Sequence, residues 1–320
     1  MSISMNSRLG FDNPLAAAAL CLTVAAITTM IHVKAVDLPN REFQLKWHQA
    51  VIERRAPAPD QYRVLTFAAA EGLRRLTGAD LIEVYAGLRI ALTAAALFVL
   101  YRYLRHWFSA SLAATGVLLV GAALPVTFFG YRMQVSDPAQ FLFFALAFRA
   151  LQTDSPWWIY AIAPLAAANR ETALFLIPFC VAAWWGTVPP RRLLLRTTGL
   201  TLAMLAALAP IYLLFGRHEP YAPVFTLLAN LSNPVRIIFP ALLFGWLWIA
   251  AFADLGSKPV LLRRLLVPAA LFIALHVMVA GFDEARLLLP LVPVILPLAL
   301  FSMGDSQSDY VKQSAFSTTR

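Results

Sequence analysis

Charge is scarce in this chain of 320 residues: Asp, Glu, Lys and Arg make up 13% of it, about half the share usual in soluble globular domains. Hydrophobic residues account for 60% and the mean hydropathy is +0.69, against an apolar content of roughly 45–50% in soluble proteins. A soluble globular enzyme is excluded, and so are disordered and collagen-like chains. Cysteine is nearly absent; Cys21 and Cys180 both lie inside apolar runs, which rules out a disulfide scaffold. GxGxxG, Walker, CxxC and HExxH sequences and internal repeats are missing too, which argues against dinucleotide binding, nucleotide hydrolysis and zinc-protease chemistry. What remains is an all-α fold, a polytopic transmembrane helical bundle.

A helix needs roughly 20 apolar residues to cross the hydrocarbon core. Runs of that kind are Pro14 to Val33, Ile82 to Tyr101, Ser109 to Phe129, Pro138 to Leu151, Pro156 to Ala168, Glu171 to Trp185, Leu195 to Phe215, Ile237 to Phe252, Leu265 to Gly281 and Leu287 to Phe301. The first is too long for the apolar core of a secretory signal and reads as a span. The two short runs flanking Asn169-Arg170-Glu171-Thr172 are either two passes or one broken helix. Two passes place Arg8, Arg102, Arg105, Arg149, Arg191, Arg192, Arg196, Lys258, Arg263, Arg264 and Lys312 on one side, as the positive-inside rule expects. The net charge of +9 is thereby topological, and no nucleic acid is implied as a partner. The expectation is ten spans in one transmembrane domain, residues 1–303, in a bacterial inner membrane, with both termini cytoplasmic and a disordered polar tail over residues 304–320.

The opposite, outer face then collects the acidic and mixed-charge motifs. Its one long segment, Lys34 to Leu81, interleaves apolar residues with Arg, Lys and Glu over Glu42 to Arg55 and Tyr62 to Leu76, the composition of helices lying in the membrane interface.

Chemistry must come from the ionic residues of that face. Asp37, about four residues beyond the first apolar run, suits a general base toward an acceptor hydroxyl or amine; the competing account is a solvated loop acid. Asp137 followed by Pro138 reads equally as an ordinary helix N-cap. Glu171 and the pair Asp283-Glu284 also precede helices, where the dipole favours acids. Capping does not account for the neighbouring cations Arg63, Arg170 and Arg286, whose guanidinium forks suit a phosphorylated lipid; a structural salt-bridge network is the alternative. Arg89 lies well inside a span and needs a partner or a wet cavity. His32 and His276, near outer helix ends, read as packing residues.

Together these motifs resemble the C-type integral-membrane glycosyltransferases, which take a sugar from a polyprenyl-phosphate carrier on the outer face. An acid, Asp37, heads the long first outer loop. Val135-Ser136-Asp137-Pro138-Ala139-Gln140-Phe141 looks like the second acidic motif of the family, and Ala168-Asn169-Arg170-Glu171-Thr172 like its short basic hinge. Glu284-Ala285-Arg286-Leu287-Leu288-Leu289-Pro290 is similar to the Glu-x-Arg-Tyr-Leu-Leu-Pro pattern opening a late helix. Departures are the single acid at Asp37 where a doublet is usual, Leu287 in place of Tyr, and no soluble C-terminal domain.

The resemblance implies transfer of a sugar from a polyprenyl-phosphate donor to a lipid, glycan or protein acceptor. Asp37 would be the base, and Asp137 would orient it, share a metal or bind the acceptor. Substrate would be held by Arg63, Arg89, Arg170, Glu171, Glu284 and Arg286, and apolar helix faces would form a groove for the polyprenyl chain. A divalent cation, Mg or Mn, bridging Asp37 and Asp137 is compatible with this set and not required by it. Three other functions use the same pattern: a transporter or flippase of lipid-linked saccharide, a non-catalytic subunit on the transferase scaffold, and a polymerase or ligase that joins lipid-linked glycans.

Overall fold

The computed structural model describes residues 11–128, 135–220, 225–281 and 284–303. Arg8, Asp283, Lys312 and the tail 304–320 lie outside the described residues. Among the described residues every named element is a helix. Six helical segments are long and apolar enough to cross a membrane: Pro14–Asp37, Leu81–Leu104, Ala110–Phe128, Pro190–Phe215, Val260–Val279 and Ala285–Met303.

Helix α1 (Pro14–His32) starts where the Asn13 side chain accepts from the Leu15 N–H and Pro14 supplies a pre-set φ. It continues as a π-helical turn over Val33–Asp37. The segment Lys34 to Leu81 folds as α2 (Arg41–Ile52) and α3 (Val64–Thr77), and α3 stops at Gly78, whose φ of 70° ends it in the left-handed region. Asp80 then caps α4 (Leu81–Leu104) by accepting from the Ile82 N–H. Next come α5 (Ala110–Ala123), which tightens into a 3-10 turn over Leu124–Phe128, and α6 (Ser136–Gln152).

Helix α7 (Pro156–Asn169) ends where Arg170 turns extended; a 3-10 turn, Glu171–Phe175, leads into α8 (Leu176–Trp184). Helix α9 (Pro190–Phe215) begins beside the start of α7 and the end of α8. Its Arg196 carbonyl accepts from the Tyr160 hydroxyl near the start of α7, and its Arg196 guanidinium lies over the Trp184 ring at the end of α8. The two short helices are therefore an antiparallel pair, and not one broken helix.

The apolar run Ile237 to Phe252 is interrupted. After α10 (Leu227–Leu231) it forms α11 (Pro234–Ala241) and α12 (Leu247–Phe252), separated at Gly245, where φ is +48°. Helix α13 (Val260–Val279) precedes the 3-10 segment Ala285–Leu291, which leads into α14 (Val292–Met303). This last segment is the most thoroughly buried of the six and lies against α12, with further contacts to α4, α5, α6 and α13.

The surface is inverted relative to a soluble protein. Large apolar side chains point outward along α1, α9, α11 and α13, with Leu213 at 84% exposure, while Asp37, Arg89, Asp137, Arg170 and Arg286 are buried. Outward leucines without an aqueous penalty and inward charges with partners fit a lipid environment.

Candidate functional site

Asp37 is not a solvated loop acid. The π turn carries α1 past His32 and brings the carboxyl inward, where it is 0% exposed. Its Oδ1 accepts from Gln44 Nε2 at 2.8 Å and its Oδ2 from Arg89 Nη1 at 2.7 Å. His32 Nδ1 stands 3.3 Å from the same Oδ2. The intramembrane Arg89 thus has the acid it requires, supplied by the first helix.

Asp137 departs from the N-cap expectation in the same way. Val135 holds the cap position of α6, and Asp137 lies inside the first turn. Its carboxylate accepts from Arg170 Nη1 and from Arg286 Nη1, the latter 3.1 Å from Oδ2. Arg286 Nη2 in turn donates to Glu284 at 2.5 Å. The hinge is held from below: Asn169 Nδ2 donates to the Ser136 carbonyl at 2.9 Å and to Gln140 at 3.3 Å. A residue from α6, one from the α7–α8 hinge and one from the last 3-10 turn therefore share one ionic knot.

Two cavities meet at this knot. The larger is lined by Thr29, His32, Arg89, Thr127, Asp137 and Arg286. The smaller has Gln140, Arg170, Thr172 and His276 in its wall and shares Asp137 and Arg286 with the first. A narrow apolar slot between α5, α12 and α14 adjoins the larger cavity, with Leu124 and Leu289 in both walls. Among the described residues Arg89 Nη2, Arg170 Nε and Thr29 Oγ1 are buried with no hydrogen-bond partner. A buried donor left unmade costs about 1–3 kcal/mol.

The remaining expected residues stand further back. Arg63 donates to Asp60 at 2.6 Å and to Glu171 at 3.0 Å, which ties the start of α3 to the hinge. Glu171 also interacts with its neighbour Arg170 of the knot, and Glu284 accepts from Arg286. The sequence reads His32 as a packing residue and does not single out the threonines of the larger cavity. The signal was present: Thr28, Thr29 and His32 fall on one face of an otherwise apolar helix.

The donor set does not fit a divalent ion. Asp37 and Asp137 are both held by guanidinium groups, which an ion would have to displace, and no three His, Cys, Asp or Glu side chains gather among the described residues.

Outside the bundle, His48 on α2 joins α3 and α4: Nδ1 is 2.8 Å from the Tyr85 hydroxyl and Nε2 is 3.3 Å from Glu71. Arg74 and Arg75 also donate to Glu71. Hydrogen bonding from Arg74, then Arg75 and His48, outweighs burial and lowers the Glu71 pKa to about 2. Burial outweighs the Glu71 carboxylate at His48 and lowers that imidazole below its ordinary 6.5. No protein-family model, curated protein or solved structure matches the chain.

Proposed function

We propose that this protein is a membrane glycosyltransferase that moves a sugar from a polyprenyl-phosphate donor to an acceptor on the outer face of the membrane. The observation that carries the reading is the larger cavity, whose wall brings Arg89, Arg286, Thr29 and His32 together beside an apolar slot that shares Leu124 and Leu289 with it. Arg89 Nη2 and the Arg286 fork hold the donor phosphate, Thr29 takes a sugar hydroxyl, and the slot takes the first part of the prenyl chain. As the acceptor oxygen bonds to the anomeric carbon, the bond from that carbon to the phosphate oxygen breaks, and the arginines stabilise the charge left on polyprenyl phosphate.

The acceptor proton goes to His32, whose ring lines the cavity, and Asp37 behind it orients the imidazole and stabilises its charged form. Asp37 then acts through His32, and is not itself the base. Asp137 positions Arg170 and Arg286. The catalytic face is the one at which α1, α5, α7, α9 and α13 end and α4, α6 and α14 begin. Counting α6, α7, α8 and the α11–α12 pair as crossings beside the six long segments gives ten antiparallel traverses of the bilayer, with both termini in the cytoplasm. The antiparallel pairing of α7 with α8 and the Arg-rich far end support that count.

The test offers radiolabelled polyprenyl-phosphate sugars to the purified full chain and measures release of polyprenyl phosphate. Asp37→Asn, Asp137→Asn and His32→Gln are each expected to lose roughly 100-fold or more, the scale of general acid–base and positioning contributions. A fully active His32→Gln beside an inactive Asp37→Asn would return the base role to Asp37. Release that none of the three substitutions alters sinks the proposal.

A further inference from the structure

We infer that the end of the bundle remote from the candidate site carries a second binding site, a basic cleft for a phosphate-bearing anionic headgroup. Helices α4 and α6 each bear one ionic cluster at either end. Arg102 follows Arg89 by thirteen positions and Arg149 follows Asp137 by twelve, so the two clusters are separated by roughly 20 Å of helix. Between the remote ends lies an open cleft walled by Asp12, Tyr101, Arg102, Arg105, His106 and Arg149.

The charges in this cleft do not balance. Arg105 pairs with Asp12 at 2.9 Å and donates to the Phe108 carbonyl. No carboxylate among the described residues pairs with Arg102 or Arg149. Arg149 Nη1 donates to the neutral Gln152 at 2.6 Å, and Gln152 is anchored on the Tyr103 carbonyl, which fixes the guanidinium at the cleft rim without neutralising it. Three arginines facing one carboxylate leave a positive opening that a phosphate would fill, since a guanidinium fork matches phosphate oxygens two at a time.

The depth fits a lipid. Trp157 and Trp158, which follow the α6–α7 turn, are 82% and 67% exposed, and outward tryptophans at helix ends mark the headgroup layer. Basic clefts between transmembrane helices at that level take anionic headgroups. The same phosphate chemistry is also offered by a soluble phosphate, so the test separates the two sources.

The full chain in neutral detergent would be titrated with dioctanoyl phosphatidylglycerol, dioctanoyl phosphatidylcholine and inorganic phosphate, with binding read by calorimetry. Saturable binding of the glycerol lipid is expected, weakened about five-fold by Arg102→Gln or Arg149→Gln on the scale of one surface cation. Asp12→Asn removes the one carboxylate that the described residues place in the cleft and should tighten binding, a gain that no folding defect produces. Failure of inorganic phosphate to displace the lipid assigns the site to a headgroup; displacement at equal concentration assigns it to soluble phosphate. Equal binding of the choline lipid, or affinities indifferent to all three substitutions, overturns the site.

Discussion

Asp37 and Arg89 show how a single pair can set the character of a membrane interior. Neither charge is tolerable alone at that depth, and each supplies the other's missing partner. Arg89→Gln leaves a buried carboxylate with only Gln44 and His32 beside it, and should destabilise the protein by about 3–5 kcal/mol, the usual cost of breaking a buried pair. The double variant Asp37→Asn/Arg89→Gln should be more stable than Arg89→Gln alone. Thermal unfolding in detergent checks both, and additive losses would mean the two side chains do not interact. The sequence made Arg89 conspicuous as an isolated intramembrane charge. It did not reveal its partner, because Asp37 lies 52 positions away and only the π turn aims it inward.

Elements set the close approaches that make the cavity. Helix α5 crosses α1 at Gly121, where an added methyl would collide with Val24 Cγ1. Valine is stiff about χ1 and yields poorly, so Gly121→Ala should cost about 1–3 kcal/mol. Val24→Ala in the same chain should recover much of that loss; no recovery would point to a different contact. The α2–α3 unit depends on pH through His48 and Glu71. Burial lowers His48, so the unfolded chain takes up that proton first and stability falls as pH drops below the ordinary 6.5. Glu71 is depressed to about 2, so its contribution is full above its ordinary 4.5 and is lost as pH falls from there toward 2. Acid should therefore raise hydrogen exchange in α2 and α3 in two steps, and His48→Gln should remove the one beginning near pH 6.5. The helical pattern of this unit was readable from its interleaved charges, whereas the Tyr85 link to the bundle was not, since it joins residues 37 positions apart.

The whole molecule has two unlike ends, one holding the paired acids and arginines and the other holding cations in excess. Ser232 lies at the first end, where α10 meets the end of α13, and Thr153 at the second, after α6. Ser232→Cys should react with an impermeant maleimide in intact cells and Thr153→Cys only after permeabilisation, since Cys21 and Cys180 are buried and silent. Labelling of both from one side would discard the sidedness. The sequence by itself determined the environment: apolar content, span length and the clustering of Arg are bulk quantities, and the membrane acts on them without reference to packing. It also marked Asp137, Arg170 and Arg286, because charges next to apolar runs stand out in one dimension. Tertiary structure alone decided that these three share one knot, that Arg63 stands behind it, and that His32 occupies the wall where Asp37 was expected. Ion pairing and cavity shape depend on distances between helices far apart in the chain, and helix crossings settle those distances where periodicity cannot.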